Sequence, residues 1–315
     1  MTKNLTRAEA AAFLLEQDHY TIVSHRRPDG DTTGSSAALC RGLRQLGKTA
    51  HILENPELGP KFAHLHQGLT VSSPAPGDLL ITTDVAAPNL LPKNLPSQEI
   101  TLRLDHHGSG AEFSAYQLVD SGSASCAELI YDLLLQMGVT LDVPMAEAIY
   151  TGTATDTGCF RFANTTDHSF LVAAACTQAG ANIYQMNQDY FETNSLARLK
   201  IQGWMVEHMK LLREGQLALC AIPLAVEQEL GVSSDDMDNI SSFPRSIAGV
   251  KMAATLRENA DGSCKISVRA VPGLDAAKVC GHFGGGGHKG AAGGSIALPF
   301  HQAVAALEQA MLEET

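Results

Sequence analysis

The chain has 315 residues, 44% of them hydrophobic and 18% charged, enough apolar surface for two domains with cores of their own; wholesale disorder and a small disulfide scaffold are excluded. Its 22 Lys and Arg against 34 Asp and Glu give a net charge of −12 with no basic run, which makes the protein a poor candidate for tight, sequence-blind binding to long nucleic acid. The seven Cys are an odd set without a C-x-x-C pair and read as reduced core residues.

At the amino terminus MTKNLTRAEAAAFLLEQ is broken up by Arg7, Glu9, Glu16 and Gln17, so it reads as an amphipathic helix rather than a signal peptide. No apolar stretch approaches the ~18 residues of a membrane span. The expected location is the cytoplasm. The first half alternates strand and helix patterns, as a mostly parallel α/β sheet flanked by helices requires. TIVSH reads as a strand, GSSAALCRGLRQLG as a helix beginning near Gly34 and ending at Gly47, and TAHILE, DLLITTD and EITLRLD as further strands. SASCAELIYDLLLQMG is a helix closing on Gly138, MAEAIYTGTATDTG runs from helix into loop, and DHSFLVAAACTQAG is another helix.

Residues 185–212 carry long charged helical residues and no strand signal, and they read as a connecting helix. The expected organisation is a catalytic domain over 1–188, a linking helix over 189–212 and a smaller α/β domain over 213–315. In the last of these QLALCAIP, VKMAATLRE and CKISVRAV are strands of a mixed sheet, two of them joined by a turn at Asn259 to Gly262. A helical DAAKVCGHF, a glycine-rich loop, the strand GSIAL and a final helix complete the chain.

SHRRPDGDTTGS places His25, Asp29 and Asp31 directly after a strand, with Pro28 and Gly30 forcing a turn. Two more strands finish on acids: ITTD on Asp84, and LRLDHH on Asp105 followed by His106 and His107. Strand carboxyl ends of an open parallel sheet line one edge, where ligands collect. Asp156, in TATDTG at a helix end, is a fourth acid able to fold over that edge. Each of these residues alone is ordinary, a helix cap, a turn former or a satisfied histidine. Together, without a counter-ion, the acids would repel one another. Divalent cations remove that cost, and the carboxylate and imidazole set suits Mn²⁺, with Mg²⁺, Fe²⁺ or Zn²⁺ less favoured.

The HRRPDGD, TTD, DHH and TATDTG segments, in that order, resemble the four motifs of the DHH phosphoesterases, and GHFGGGGHKGAAGG resembles the signature of the DHHA1 domain. From about residue 5 to its end the chain is similar to the two-domain oligoribonuclease (nanoRNase) and pAp phosphatase group. The resemblance implies that His25 and Asp29 bind one metal ion and Asp31, His106 and Asp156 a second, with Asp84 bridging. It implies that Asp105 orients the neighbouring imidazole, and that His107 faces the substrate phosphate or ligates. Two ions about 3.5–4 Å apart would activate a water for in-line attack on phosphorus, with His107 as hydrogen-bond donor or acid.

Residues 281–294 hold eight Gly, with Gly284, Gly285, Gly286 and Gly287 in one run before His288 and Lys289. Predicted elements on both sides set the run inside a folded domain, where bare backbone lets a phosphate or sugar approach. Arg269 on its strand matches the arginine of the family's substrate-binding domain, although Ala270 replaces the usual following Ser. Arg161 and Asn164 are further candidates for substrate contacts, and with Phe160 and Phe162 they read equally as a loop packed on the core. A catalytic edge and a distant clamp favour short substrates of roughly two to five nucleotides. The expectation is a two-metal hydrolase of very short RNA and 3′-phosphoadenosine 5′-phosphate, with a linear or cyclic dinucleotide phosphodiesterase and a non-catalytic nucleotide sensor as the competing readings. No membrane or long nucleic acid is expected as a partner, and the resemblance suggests a homodimer. His51, His64 and His66 read as surface residues, Trp204 as packing, and the acidic run near Asp235 as a helix start or a solvated face.

Overall fold

The structure is a computed structural model that describes residues 2–97, 99–108, 110–234, 236–237 and 239–314. It divides into two units, Met1–Thr193 and Asn194–Thr315. In the first, the elements in chain order are β1 (Lys3–Asn4), α1 (Arg7–Glu16), β2 (Tyr20–Val23), α2 (Gly30–Gln45), β3 (Ala50–Leu53), α3 (Pro60–Ala63), β4 (Thr70–Val71) and β5 (Leu79–Thr83). Then follow β6 (Ile100–Asp105), β7 (Ser114–Val119), α4 (Cys126–Gln136), α5 (Val143–Asp156), α6 (Asp167–Gln178) and α7 (Ile183–Asn187).

The seven strands form one sheet in the order β1-β7-β6-β5-β2-β3-β4, and every neighbouring pair is parallel. The central strands are short, nearly continuous apolar runs because helices cover both faces: Ile22, Leu80, Ile81, Leu102 and Leu104 are fully buried. Side chains start the helices. Thr6 and Glu9 make a capping box on α1, Ser125 caps α4 and Asp142 caps α5.

In the second unit α8 (Leu196–His208) precedes β8 (Lys210–Leu212), β9 (Leu217–Ile222), α9 (Leu224–Glu229), β10 (Met252–Glu258) and β11 (Cys264–Ala270). After these come α10 (Ala276–Gly281), β12 (Gly286–His288), β13 (Ala291–Ile296) and α11 (Phe300–Glu313). The six-stranded sheet runs β12-β13-β11-β10-β9-β8, mixed because only β9 and β10 pair in parallel. One apolar cluster holds Ile266, Val268, Val279 and Leu307; another holds Ile201, Met205, Cys220 and Ile222, with Trp204 packed against it.

Several expectations are corrected. Helix α2 begins at Gly30 rather than near Gly34, because Asp29 accepts hydrogen bonds from Asp31 N (3.0 Å) and Thr32 N (3.1 Å) and caps it early. Asp31 therefore stands in a helix, not in a loop. Ser114–Val119, read as no element, is a strand paired beside β6. The connecting helix is broken: a π-helical turn over Gln188–Glu192 follows α7, Thr193 is extended, and Ser195 caps a separate α8. Lys210–Leu212, where no strand was expected, pairs with β9. The glycine run is no open loop, since Gly286–His288 pairs antiparallel with β13. His66 is buried, its Nε2 lying 2.9 Å from Ser36 Oγ and 3.2 Å from Thr33 O. In the acidic run Asp235 and Asp238 lie outside the described residues, and Asp236 accepts from Ser233 N and Oγ. All seven Cys are free and six are buried, Cys159 being half-buried. Among the described residues no helix is long and apolar enough to cross a membrane.

Candidate metal centre

Three adjacent strands, β6, β5 and β2, end on the same edge of the parallel sheet. His25 lies two residues past β2, Asp84 directly after β5, and Asp105 ends β6 with His106 and His107 behind it. Helix α2 brings Asp29 and Asp31, and α5 ends on Asp156. The helices approach closely through glycine: a β-carbon on Gly34 would collide with Ala148 O, and one on Gly152 with Ala127 Cβ and, at 2.7 Å, with Asp31 Oδ1. Gly152→Ala is therefore expected to lower Tm by several degrees, an overpacking cost of about 1–3 kcal/mol. It should also reduce turnover at least tenfold by displacing Asp31. Gly203→Ala, on an open helix face, should leave both measures unchanged or slightly raise Tm.

The ligand-type atoms gather around His25 and around His106, and Asp84 reaches both histidines, its Oδ1 lying also 3.4 Å from His107 Nδ1. Around His25 Nε2 stand Asp29 Oδ1 at 3.6 Å and Asp84 Oδ2 at 3.7 Å. Around His106 Nε2 stand Asp156 Oδ2 at 3.4 Å, Asp84 Oδ1 at 3.5 Å and Asp31 Oδ2 at 3.8 Å. Donors about 2.1 Å from a shared ion stand about 3.0–3.4 Å from each other, so both groups need only a small contraction to close on a cation. The structure thus brings together all six residues anticipated as ligands, with the two oxygens of Asp84 directed to different groups.

The chemistry of the donors fits cations. Asp84 is 3% exposed, and its Oδ1 has no hydrogen-bond partner. Such a buried orphan acceptor is costly unless a cation completes it. Asp84 also holds a left-handed φ of +60°, fixed by Asp84 N donating to Leu104 O and by Thr32 Oγ1 donating to the preceding carbonyl, Thr83 O. His25 Nδ1 lies 2.8 Å from Arg26 O and His106 Nδ1 3.2 Å from Ser123 O. A carbonyl only accepts, so each Nδ1 carries a proton and each Nε2 faces inward, the orientation from which an imidazole ligates once a cation displaces the Nε2 proton. Asp31 accepts from Cys126 N (2.6 Å) and Ala127 N (2.8 Å), using the free amides at the start of α4 as its support.

Electrostatics point the same way. Burial, together with Asp31 and Asp29, raises the Asp84 carboxyl well above the usual range, and burial with Asp31 pushes Asp156 up to about 7. Burial raises Asp31, reinforced by Asp29 and opposed by His106. Burial works against a charged His25, but Asp29 overrides it and raises the imidazole to about 9. Without metal, protons do the work of a counter-charge.

Asp105 plays a different part. Its Oδ1 accepts from His107 Nδ1 (2.8 Å) and His106 N (2.8 Å), and Oδ2 pairs with the buried Arg103 guanidinium. Burial would raise this carboxyl, yet His107 and Arg103 hold it below the usual range. Arg103 Nε also donates to Val85 O (2.9 Å), so the arginine locks the Asp105 to His107 segment to the neighbouring loop. Sequence reading missed Arg103; a charge in the middle of the apolar run ITLRLD was the available signal, since such a residue is buried only with a partner. With Nδ1 donating to Asp105, His107 presents Nε2 from a side chain that is 44% exposed.

Beyond Asp156, Asn164 Nδ2 donates to Ala124 O (3.0 Å) and Asp156 O (3.1 Å), tying the end of α5 to the start of α4. Arg161 is exposed, and its Nε donates to Gly158 O at 2.6 Å. Phe160 packs against the core. In the second unit Arg269 and His288 both stand opposite Ala291, on neighbouring strands, so the two side chains share one sheet face across a small residue. The next row on that face is Ser267, Gly293 and Gly286. Ala270 belongs to the opposite, core face. Gly285 and Gly287 are glycines for packing, because β-carbons there would lie 2.5 Å from Gly293 O and 2.6 Å from Ala291 O; at Gly286 nothing lies within 4 Å.

A parallel sheet whose strand ends gather buried carboxylates and inward-facing imidazoles is an arrangement suited to divalent cations. The chain belongs to the DHH family and is a phosphoesterase of it: the model of the DHH family, N-terminal domain matches residues 19–153 and that of the DHHA1 domain residues 221–313. A bifunctional oligoribonuclease and PAP phosphatase, NrnA, of Thermus thermophilus is 30% identical over 93% of this chain and 89% of its own length. The crystal structure of an exopolyphosphatase-related protein from Bacteroides fragilis shares the fold, with a TM-score of 0.84 at 23% identity over 98% of this chain and 96% of that one. RecJ from Thermus thermophilus, solved in complex with Mn²⁺, shares it at a TM-score of 0.59 and 18% identity, covering 98% of this chain and 55% of RecJ.

Proposed function

We propose that this protein hydrolyses very short RNA oligonucleotides and 3′-phosphoadenosine 5′-phosphate in the cytoplasm, using two divalent cations, with Mn²⁺ preferred. The observation that carries the reading is Asp84: a buried carboxylate with one oxygen facing His25, which Asp29 also approaches, and the other facing His106, the imidazole that Asp31 and Asp156 approach. Divalent cations bound there acidify water and polarise phosphoryl oxygens. The chain's own residues supply the rest. Asp105 keeps the proton of His107 on Nδ1 and aims Nε2 outward, placed to hydrogen-bond a phosphate oxygen or, once protonated, to deliver a proton to the leaving oxygen. Arg161 offers its free guanidinium nitrogens to a phosphate at the acidic centre, where carboxylates alone would repel it. Within the second unit, Arg269 and His288 offer donors for an anionic group beside the bare Gly286 and Gly293.

The test is one panel with Mn²⁺: a dinucleotide, a 5-mer, a 24-mer, 3′-phosphoadenosine 5′-phosphate, pyrophosphate and a cyclic dinucleotide. Turnover of the dinucleotide, the 5-mer and the bisphosphate is expected, with the 24-mer and pyrophosphate left intact. Turnover confined to pyrophosphate overturns the reading, and turnover confined to the cyclic dinucleotide replaces it with a dinucleotide phosphodiesterase. Within the same panel Gly286→Ala, which meets no protein atom, is expected to raise KM for the accepted substrates about tenfold while Tm stays unchanged. An unaltered KM would remove the glycine run from substrate binding.

A further inference from the structure

Directly behind Asp156, three consecutive residues hold left-handed backbone: Gly158, Cys159 and Phe160 have φ of +57°, +56° and +61°. Side-chain-bearing residues take that conformation singly, not in runs, so the turn persists only because its surroundings over-determine it. Cys159 N donates to Ala154 O (2.6 Å), Phe160 N to Thr157 Oγ1 (3.1 Å), and Arg161 N and Phe162 N both to Thr157 O (2.9 and 3.0 Å). The Phe160 ring stacks on Phe170 with centroids 5.3 Å apart. The chain is thereby reversed behind the centre, and Phe162 is left with its distal ring carbons seated on Gly158, where any side chain would overlap them.

Phe162 is nevertheless 51% exposed. A scattered surface Phe needs no explanation. This one is held two residues beyond Phe160 in neither core nor open loop, on a rigid turn that begins two residues after a carboxylate of the centre. Its neighbour Arg161 is itself pinned through Nε to Gly158 O. We infer that Phe162 is a stacking platform for a nucleobase of the substrate, with Arg161 meeting the phosphate of that nucleoside. Stacking on an aromatic face accepts every base, so the platform selects phosphates esterified to nucleosides without choosing among bases. The inference rests on the reading of the centre as a nucleotide phosphoesterase and adds a base-recognition site to it.

The test uses the full chain with Mn²⁺ and three substrates: a 5′-phosphorylated adenylate dinucleotide and the same molecule with the base removed from one ribose or from the other. Phe162→Ala is expected to lower kcat/KM on the complete dinucleotide about tenfold, through KM, and to change it less than about twofold on the analogue lacking the stacked base. Phe162→Tyr should restore the loss and Phe162→Leu should not. Equal losses on all three substrates, or no loss on the complete dinucleotide, overturn the platform. Phe162→Trp supplies a readout independent of turnover, measured against the single native Trp204. Its added emission is expected to be quenched by the complete dinucleotide and not by one abasic analogue. Quenching in a protein that hydrolyses nothing in the panel would uphold the platform and sink the phosphoesterase reading; turnover without any quenching would do the reverse.

Discussion

Asp84→Asn is expected to abolish turnover on every substrate, by a thousandfold or more if the several kcal/mol of charge stabilisation at the centre is lost, since about 1.4 kcal/mol is each factor of ten. The same change should stabilise the protein in chelator. Asp84 is buried, lies among Asp31, Asp29 and Asp156, and has an oxygen without a hydrogen-bond partner, so its charge opposes folding until cations neutralise it. An amide of the same shape removes that charge. Calorimetry should therefore show a higher Tm than the native protein in EDTA and a smaller gain on adding Mn²⁺. A variant that keeps near-native rates, or that is destabilised in EDTA and still gains fully from Mn²⁺, would dismiss Asp84 as the bridge.

Stability of the metal-free protein should fall as pH rises. Asp156 titrates at about 7 against an ordinary 3.8, and His25 at about 9 against 6.5. Both folded-state values lie above the unfolded ones, so between them the native state binds protons that the unfolded chain has released. The stabilisation from Asp156 is complete below pH 3.8 and lost through pH 7; that from His25 is complete below 6.5 and lost through 9. In EDTA the Tm is expected to drop by several degrees from pH 6 to pH 9. Added Mn²⁺ should recover the loss, and recover more at the higher pH, because cations and protons compete for the same imidazole and carboxylates. A Tm in EDTA that is flat or rising over this range would mean that His25 and Asp156 are not held in a shared acidic cluster.

Much of the site was legible because its chemistry is written in short segments. His25, Asp29 and Asp31 lie within seven residues, and Asp105, His106 and His107 are contiguous, each following a pattern that already reads as a strand. The DHHA1 glycines were legible for the same reason, although their job was only half read. A run of Gly looks like bare backbone, and nothing local reveals that Gly285 and Gly287 are glycine because another strand lies against them. The early start of α2 was hidden because Asp29 serves both as a helix cap and as a residue facing His25, and residue type alone does not separate the two roles.

The sequence by itself determined which groups are available: the carboxylates and imidazoles, and the alternation of strand and helix that sends them to one edge. Tertiary structure alone decided how those groups divide. That β5 lies between β6 and β2 is what sets Asp84 between two histidines, and strand order depends on pairings between residues tens of positions apart that no local pattern encodes. Arg103 follows the same logic. Its charge becomes intelligible only when folding buries it against Asp105, because a buried ion requires a partner, and the partner is chosen by packing rather than by sequence.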